Sequence, residues 1–229
     1  MEKKMKTKIK LTALFALFAI TVFSCSKLDV VGSYSVRSFN ELLQNAPQLV
    51  SEDKANGGWS ISAPDNNVRF IWSKNFAESP LYDVMLEINA EPFIAAGLDP
   101  SRLPDNFIFK DGMFTVGIKL GNEKLSYQGE ATPLASYEHI VKLKRGSIGY
   151  HGQLDHYGIS LGGGNMFEWA KNLTTNDKDI VFVLNPDPFI KAGINPNSIE
   201  GWLYAQVTVD DENGKPVQVY KFLKPFNLL

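Results

Sequence analysis

Residues Asp83–Pro100 read DVMLEINAEPFIAAGLDP, and the same pattern returns at Asp179–Pro196 as DIVFVLNPDPFIKAGINP, with eight identities in 18 positions. Self-similarity of this kind marks a repeated structural unit. The match extends upstream with small gaps. FIWSKN at 70–75 answers MFEWAKN at 166–172, WSIS at 59–62 answers YGIS at 157–160, and SFNELL at 38–43 answers SYEHIV at 136–141. Downstream, DGMFTVGIKL from Asp111 pairs with EGWLYAQVTV from Glu200 once about seven extra residues are allowed in the first copy. The sequence therefore predicts a tandem duplication of a unit of roughly 95 residues. The first copy occupies 33–129 and the second 130–229.

Each copy can be checked against its sibling. Phe39, Leu42 and Leu43 recur at helical spacing, as do Tyr137, Ile140 and Val141, which predicts a short amphipathic helix. Ser38 and Glu41 have the spacing of a capping box at its start. Trp59–Ala63 and Val68–Trp72 read as strands around the turn Pro64-Asp65-Asn66-Asn67, a place taken by Gly162-Gly163-Gly164 in the second copy. Asp83–Ile88 and Asp179–Leu184 read as central strands. Each leads into a helix of about one turn that starts at Glu91-Pro92 or Asp187-Pro188 and stops at Gly97 or Gly193. A hairpin closes each copy, and Asn213-Gly214 marks its turn in the second. The expected fold class is α+β, mainly antiparallel sheet with short helices.

The amino terminus points to an address. Five lysines lie in Met1–Lys10, 13 uncharged and mostly apolar residues follow from Leu11 to Phe23, and Val22-Phe23-Ser24 precedes Cys25, the sole cysteine. A spanning helix takes roughly 20 apolar residues, so the run has the length of a secretory signal. Val22-Phe23-Ser24-Cys25 resembles the lipobox of bacterial lipoproteins, with Phe23 departing from the usual small or β-branched residue. The lysine-rich start and the Cys-Ser junction are similar to those of Bacteroidota lipoproteins. The resemblance implies cleavage after residue 24, lipidation of Cys25, and a tether at 25–32. It implies outer-membrane anchoring through acyl chains, with the periplasmic side favoured over the cell surface because Asp29 stands alone beside Lys27.

Removing residues 1–24 takes away five lysines and Glu2, leaving 18 basic against 24 acidic residues. An acidic chain is a poor partner for nucleic acid, whose phosphates require lysine and arginine. An ancestral site should also occur in both copies. Gly158-Ile159-Ser160-Leu161-Gly162 matches the nucleophile elbow, but its sibling Ser60-Ile61-Ser62-Ala63-Pro64 has lost both glycines and all three histidines precede Ser160. His151, Asp155 and His156 have metal-ligand chemistry, yet their counterparts are Asp53, Gly57 and Gly58, so a polar loop is expected and no metal or other cofactor. Asp210-Asp211-Glu212-Asn213-Gly214 lacks the glutamate of a calcium loop, Tyr220 standing in its place.

Both copies do carry Asn89 and Asn185, Trp72 and Trp169, and the Pro-Phe-Ile-x-Ala-Gly element. As architecture, these are helix plugs and turn-closing amides. As a site, they would line a cleft between the copies, joined by Trp59, Tyr157 and Trp202 if those are exposed. The expected function is a non-catalytic envelope module binding a glycan, lipid or protein ligand. The alternatives are a carrier of a hydrophobic molecule between the repeats and a carboxylate-dependent glycan hydrolase using acids such as Asp83 and Asp179.

Overall fold

A computed structural model describes residues 30–143, 147–152, 154–173, 178–210 and 215–228. The expected signal sequence, Cys25 and the expected turn at Asn213-Gly214 lie outside the described residues. Twelve strands and four α-helices are described. The first half contains α1 (30–45), β1 (Val50–Asp53), β2 (Gly58–Ser62), β3 (Val68–Ser73), β4 (Val84–Asn89), α2 (Glu91–Ala95), β5 (Ile108–Lys110) and β6 (Met113–Ile118). The second contains α3 (Pro133–Leu143), β7 (Ile148–His151), β8 (His156–Ser160), β9 (Met166–Ala170), β10 (Ile180–Leu184), α4 (Asp187–Lys191), β11 (Leu203–Asp210) and β12 (Pro216–Phe226). The fold is mostly antiparallel β with short helices.

The strands form two six-stranded sheets, ordered β1-β2-β3-β4-β6-β5 and β7-β8-β9-β10-β12-β11. The order is the same in both, and every described pairing is antiparallel. Strand alternation sends Val68, Phe70 and Trp72 of β3 inward, with Phe167 and Trp169 of β9 facing them across one shared core. Phe70 and Phe167 stack at 4.3 Å between ring centroids. The interior between the sheets is thus filled by aromatic rings, which pack as densely as an organic crystal.

Helices close both ends of this sandwich. At one end Phe39 of α1 stacks on Tyr137 of α3 at 4.1 Å and meets Trp72 and Trp169 edge-on at 5.5 and 5.2 Å. Helix α1 starts earlier than the capping-box reading allows: Ser38 is inside it, and its hydroxyl donates instead to the Ala170 carbonyl at 2.9 Å. The real cap is at the sibling helix, where Thr132 Oγ1 accepts from the Ala135 amide at 3.1 Å. Residues 30–32, assigned above to a tether, belong to α1.

At the opposite end α2 and α4 meet through Phe93 and Phe189, 5.2 Å apart. Two reciprocal backbone bonds join them: Asp99 N–H donates to Ala192 O at 3.2 Å, and Asn195 N–H to Ala96 O at 2.9 Å. Gly97 and Gly193 end the two helices with positive φ, +98° and +104°, a conformation that favours glycine, while a Cβ on either would make only ordinary van der Waals contact with the other's carbonyl oxygen at 3.4 to 3.5 Å.

Candidate functional site

Strand β10, IVFVL, is buried along its whole length. Ile180, Phe182 and Leu184 belong to the shared core, so Val181 and Val183 on the other face must be covered by something else. The cover is the second sheet itself. Strands β7 and β11 are its opposite edges, yet His151 Nε2 of β7 lies 2.9 Å from the Thr208 carbonyl oxygen of β11. Right-handed twist and coiling carry a sheet toward closure in this way. The curled sheet wraps around a half-open cavity of about 540 Å³ on its outer face, and all six strands contribute to the lining.

Its walls are apolar: Val181 and Val183 from β10, Val207 and Val209 from β11, Leu223 and Pro225 from β12. Long strands make this possible. Strands β11 and β12 have 8 and 11 residues, whereas β5 and β6, which hold the same places in the first sheet, have 3 and 6. Sheet order therefore matches β6 with β12, and the expected pairing of 111–120 with 200–209, which would match β6 with β11, does not hold. Opposite the walls, Gly149 and Gly158 pair across β7 and β8 and keep the volume open. A Cβ on Gly158 would lie 3.0 Å from Met166 Cε and 3.1 Å from Glu168 Cγ.

The polar part of the lining is a buried cluster. Glu168 and His156 are each 3% exposed. Glu168 Oε1 is 3.6 Å from His151 Nδ1, and Oε2 is 3.7 Å from His156 Nδ1. Burial works to raise the Glu168 carboxyl, but the two imidazoles outweigh it and hold the group below the usual glutamate range. Conversely, the Glu168 carboxylate raises His151 above the ordinary imidazole range against its partial burial, helped by the Thr208 carbonyl and Asp210. Geometry agrees. With Nε2–H donated to Thr208 O, a neutral ring would turn a lone pair toward the carboxylate, so the protonated form fits both neighbours. His156 Nε2 meets no hydrogen-bonding partner among the described residues. Half-buried Lys221 donates to Gly164 O at 2.9 Å; burial lowers its pKa, partly offset by Asp187 and Glu168.

None of the seven residues singled out in the sequence lines this cavity. Trp72 and Trp169 are fully buried between the sheets, and Tyr157 and Trp202 are buried as well. They pack the sandwich, and among the described residues no open cleft between the two halves exposes them. Trp59 is half-buried, donating from Nε1 to Ser136 Oγ at 3.1 Å beneath Lys74, whose Nζ is 4.3 Å from the ring centroid. Asn89 and Asn185 close the strand-to-helix turns. Each accepts through Oδ1 from the amide two residues on, Glu91 at 3.0 Å and Asp187 at 3.2 Å, while Nδ2 reaches Asn67 Oδ1 and Gly163 O.

The metal triplet does not assemble either. Asp155 turns away to the Tyr150 hydroxyl and to Lys171 at 3.5 Å, and Glu168 takes its place between the histidines. No group of three His, Cys, Asp or Glu side chains among the described residues is arranged to hold a metal ion. Asp83 and Asp179 serve the backbone: Asp83 accepts from the Leu120 and Gly121 amides at 2.6 and 3.1 Å, Asp179 from the Leu228 amide at 2.6 Å. Ser160 ends β8, its Oγ 3.4 Å from the Gly162 amide.

The first sheet carries a different cluster on its outer face. Arg69 bridges Asp53 at 3.2 Å and Glu87 at 2.7 Å, so there a cation stands between two acids. No protein-family model matches the chain, and no curated protein or solved structure matches it.

Proposed function

We propose that this chain is a non-catalytic envelope lipoprotein that holds a small, largely apolar molecule inside its curled second sheet. In this reading the two halves descend from a tandem duplication. The first kept a compact, ion-paired outer face, and the second gained a binding cavity when its closing hairpin lengthened. Lipidation of Cys25 would fix the module to the outer membrane. The observation that carries the proposal is the cavity of about 540 Å³ walled by Val181, Val183, Val207, Val209 and Leu223. Its size falls within the range of small-molecule sites, which are typically apolar with a few convergent polar groups. The ligand location differs from the carrier expected between the repeats, because the Phe70–Phe167 stack occupies that space.

Saturation binding of the uncharged dye N-phenyl-1-naphthylamine tests the proposal. The wild-type chain is expected to bind one equivalent with enhanced fluorescence. Val183→Trp, which points an indole into the cavity, is expected to lose it while keeping its circular dichroism. Unsaturable binding, or equal binding by the filled variant, would overturn the reading.

A further inference from the structure

We propose that the ligand is an amphipathic carboxylate, its acid head against His156 and its chain along the valine walls of β10 and β11. The inference rests on the cavity being the ligand site. Its basis is an imbalance in the buried cluster. Two imidazoles face one carboxylate, and Glu168 already has His151 on its Oε1 side. His156 lies with Nδ1 3.7 Å from Glu168 Oε2, beyond hydrogen-bond distance, and among the described residues neither of its ring nitrogens has a hydrogen-bonding partner, although the side chain is 97% removed from solvent. A buried polar nitrogen with no partner is costly, and a ligand oxygen at hydrogen-bond distance would satisfy it.

The surrounding charges favour an anion over a cation or a neutral group. The ionisable lining consists of His151, His156, Lys178 and Lys221 against Glu168 and Asp210, with Tyr150 at the edge. A carboxylate head would add an acid to a lining where basic side chains outnumber acids, and hydrogen bonds to charged groups are the stronger kind in apolar surroundings. An ammonium head would bring a further cation to a lining where the basic side chains already outnumber the acids. Beyond the cluster the lining turns to Val181, Val183, Val207 and Val209, which suit methylene groups and offer no side-chain hydrogen bonds.

The test compares dodecanoate, dodecanol and dodecyltrimethylammonium by calorimetry below their aggregation concentrations. The protein is the chain of residues 26–229, which retains every residue of the described core. Dodecanoate is expected to bind at least about tenfold more tightly than dodecanol. His156→Phe should reduce that preference to about twofold or less while dodecanol binding persists. Because His156→Phe changes a buried position, carboxyl-¹³C-labelled dodecanoate provides a reading on the unaltered protein. Its carboxyl resonance should shift on binding and should titrate differently from the free acid. Equal affinity for the three amphiphiles, or a preference for the ammonium, would overturn the headgroup assignment and leave the cavity as a binding site. Failure of all three to bind would overturn the cavity reading itself.

Discussion

At the residue scale, Glu168 organises the site. A carboxylate buried on a strand between Phe167 and Trp169 is unfavourable unless paired, and the two histidines supply the pairing. Stability should follow the titration of Glu168 and His151. His151 is held above its ordinary value of 6.5, so its contribution is complete below that pH and is lost as pH rises through the higher folded value. Glu168 is held below its ordinary value of 4.5, so its contribution is complete above that pH and is lost as pH falls through the lower folded value. The pair therefore contributes most between 4.5 and 6.5. Urea denaturation should show wild type losing stability between about pH 5.5 and about pH 8.5. Glu168→Gln is expected to cost roughly 1–3 kcal/mol at the lower pH and to flatten that dependence. An undiminished pH dependence in the variant would remove Glu168 from the account.

Single residues also explain why the site was hard to read from sequence. His151 and His156 stand out in the chain, and the acid next to them in sequence is Asp155. The partner is Glu168, one strand further on, brought alongside by the pairing of Gly158 with Glu168. One signal was available: MFEWA places an acid between two core aromatics where the sibling strand has Ile71. An acid on the outer face of a central strand asks what covers it.

At the element scale, the repeated Asp83–Pro100 and Asp179–Pro196 stretches made the strand, turn and short helix legible twice over. The asparagines close the turns that lead into α2 and α4, through side-chain acceptance from the amide two residues ahead. Asn89→Ala and Asn185→Ala should each cost about 1 kcal/mol in urea denaturation, and neither should alter ligand binding. Gly193→Ala should cost more, roughly 1–2 kcal/mol, because a φ of +104° strains any residue with a Cβ. Curling of the second sheet was not legible in this way. It depends on twist accumulated over six strands and on the lengths of β11 and β12, and pairwise alternation reports neither. Burial of β10 on both faces was nevertheless foreshadowed by its unbroken apolar run, which a strand with one wet face would not need.

At the scale of the whole molecule, the two halves share one core, so they should unfold together. Phe70→Ala and Phe167→Ala are each expected to cost about 3–5 kcal/mol. Their double mutant should cost less than the sum by roughly 0.5–1.5 kcal/mol, the coupling of a stacked aromatic pair. Two separate transitions in wild type, or strict additivity, would argue for independent halves. Lys224 adds a second link, reaching Asp65 in the first half at 2.6 Å. The membrane address is tested separately: Cys25→Ala should move the protein out of the membrane fraction, and an unchanged distribution would contradict lipidation.

The central claim is that the curled second sheet holds a molecule. Native mass spectrometry of wild type and Val183→Trp, each purified from the protein's own host, tests it most directly. The account predicts a retained small molecule, one per chain, on wild type and its loss from the filled variant. The same mass excess on both proteins, or none on either, would contradict it.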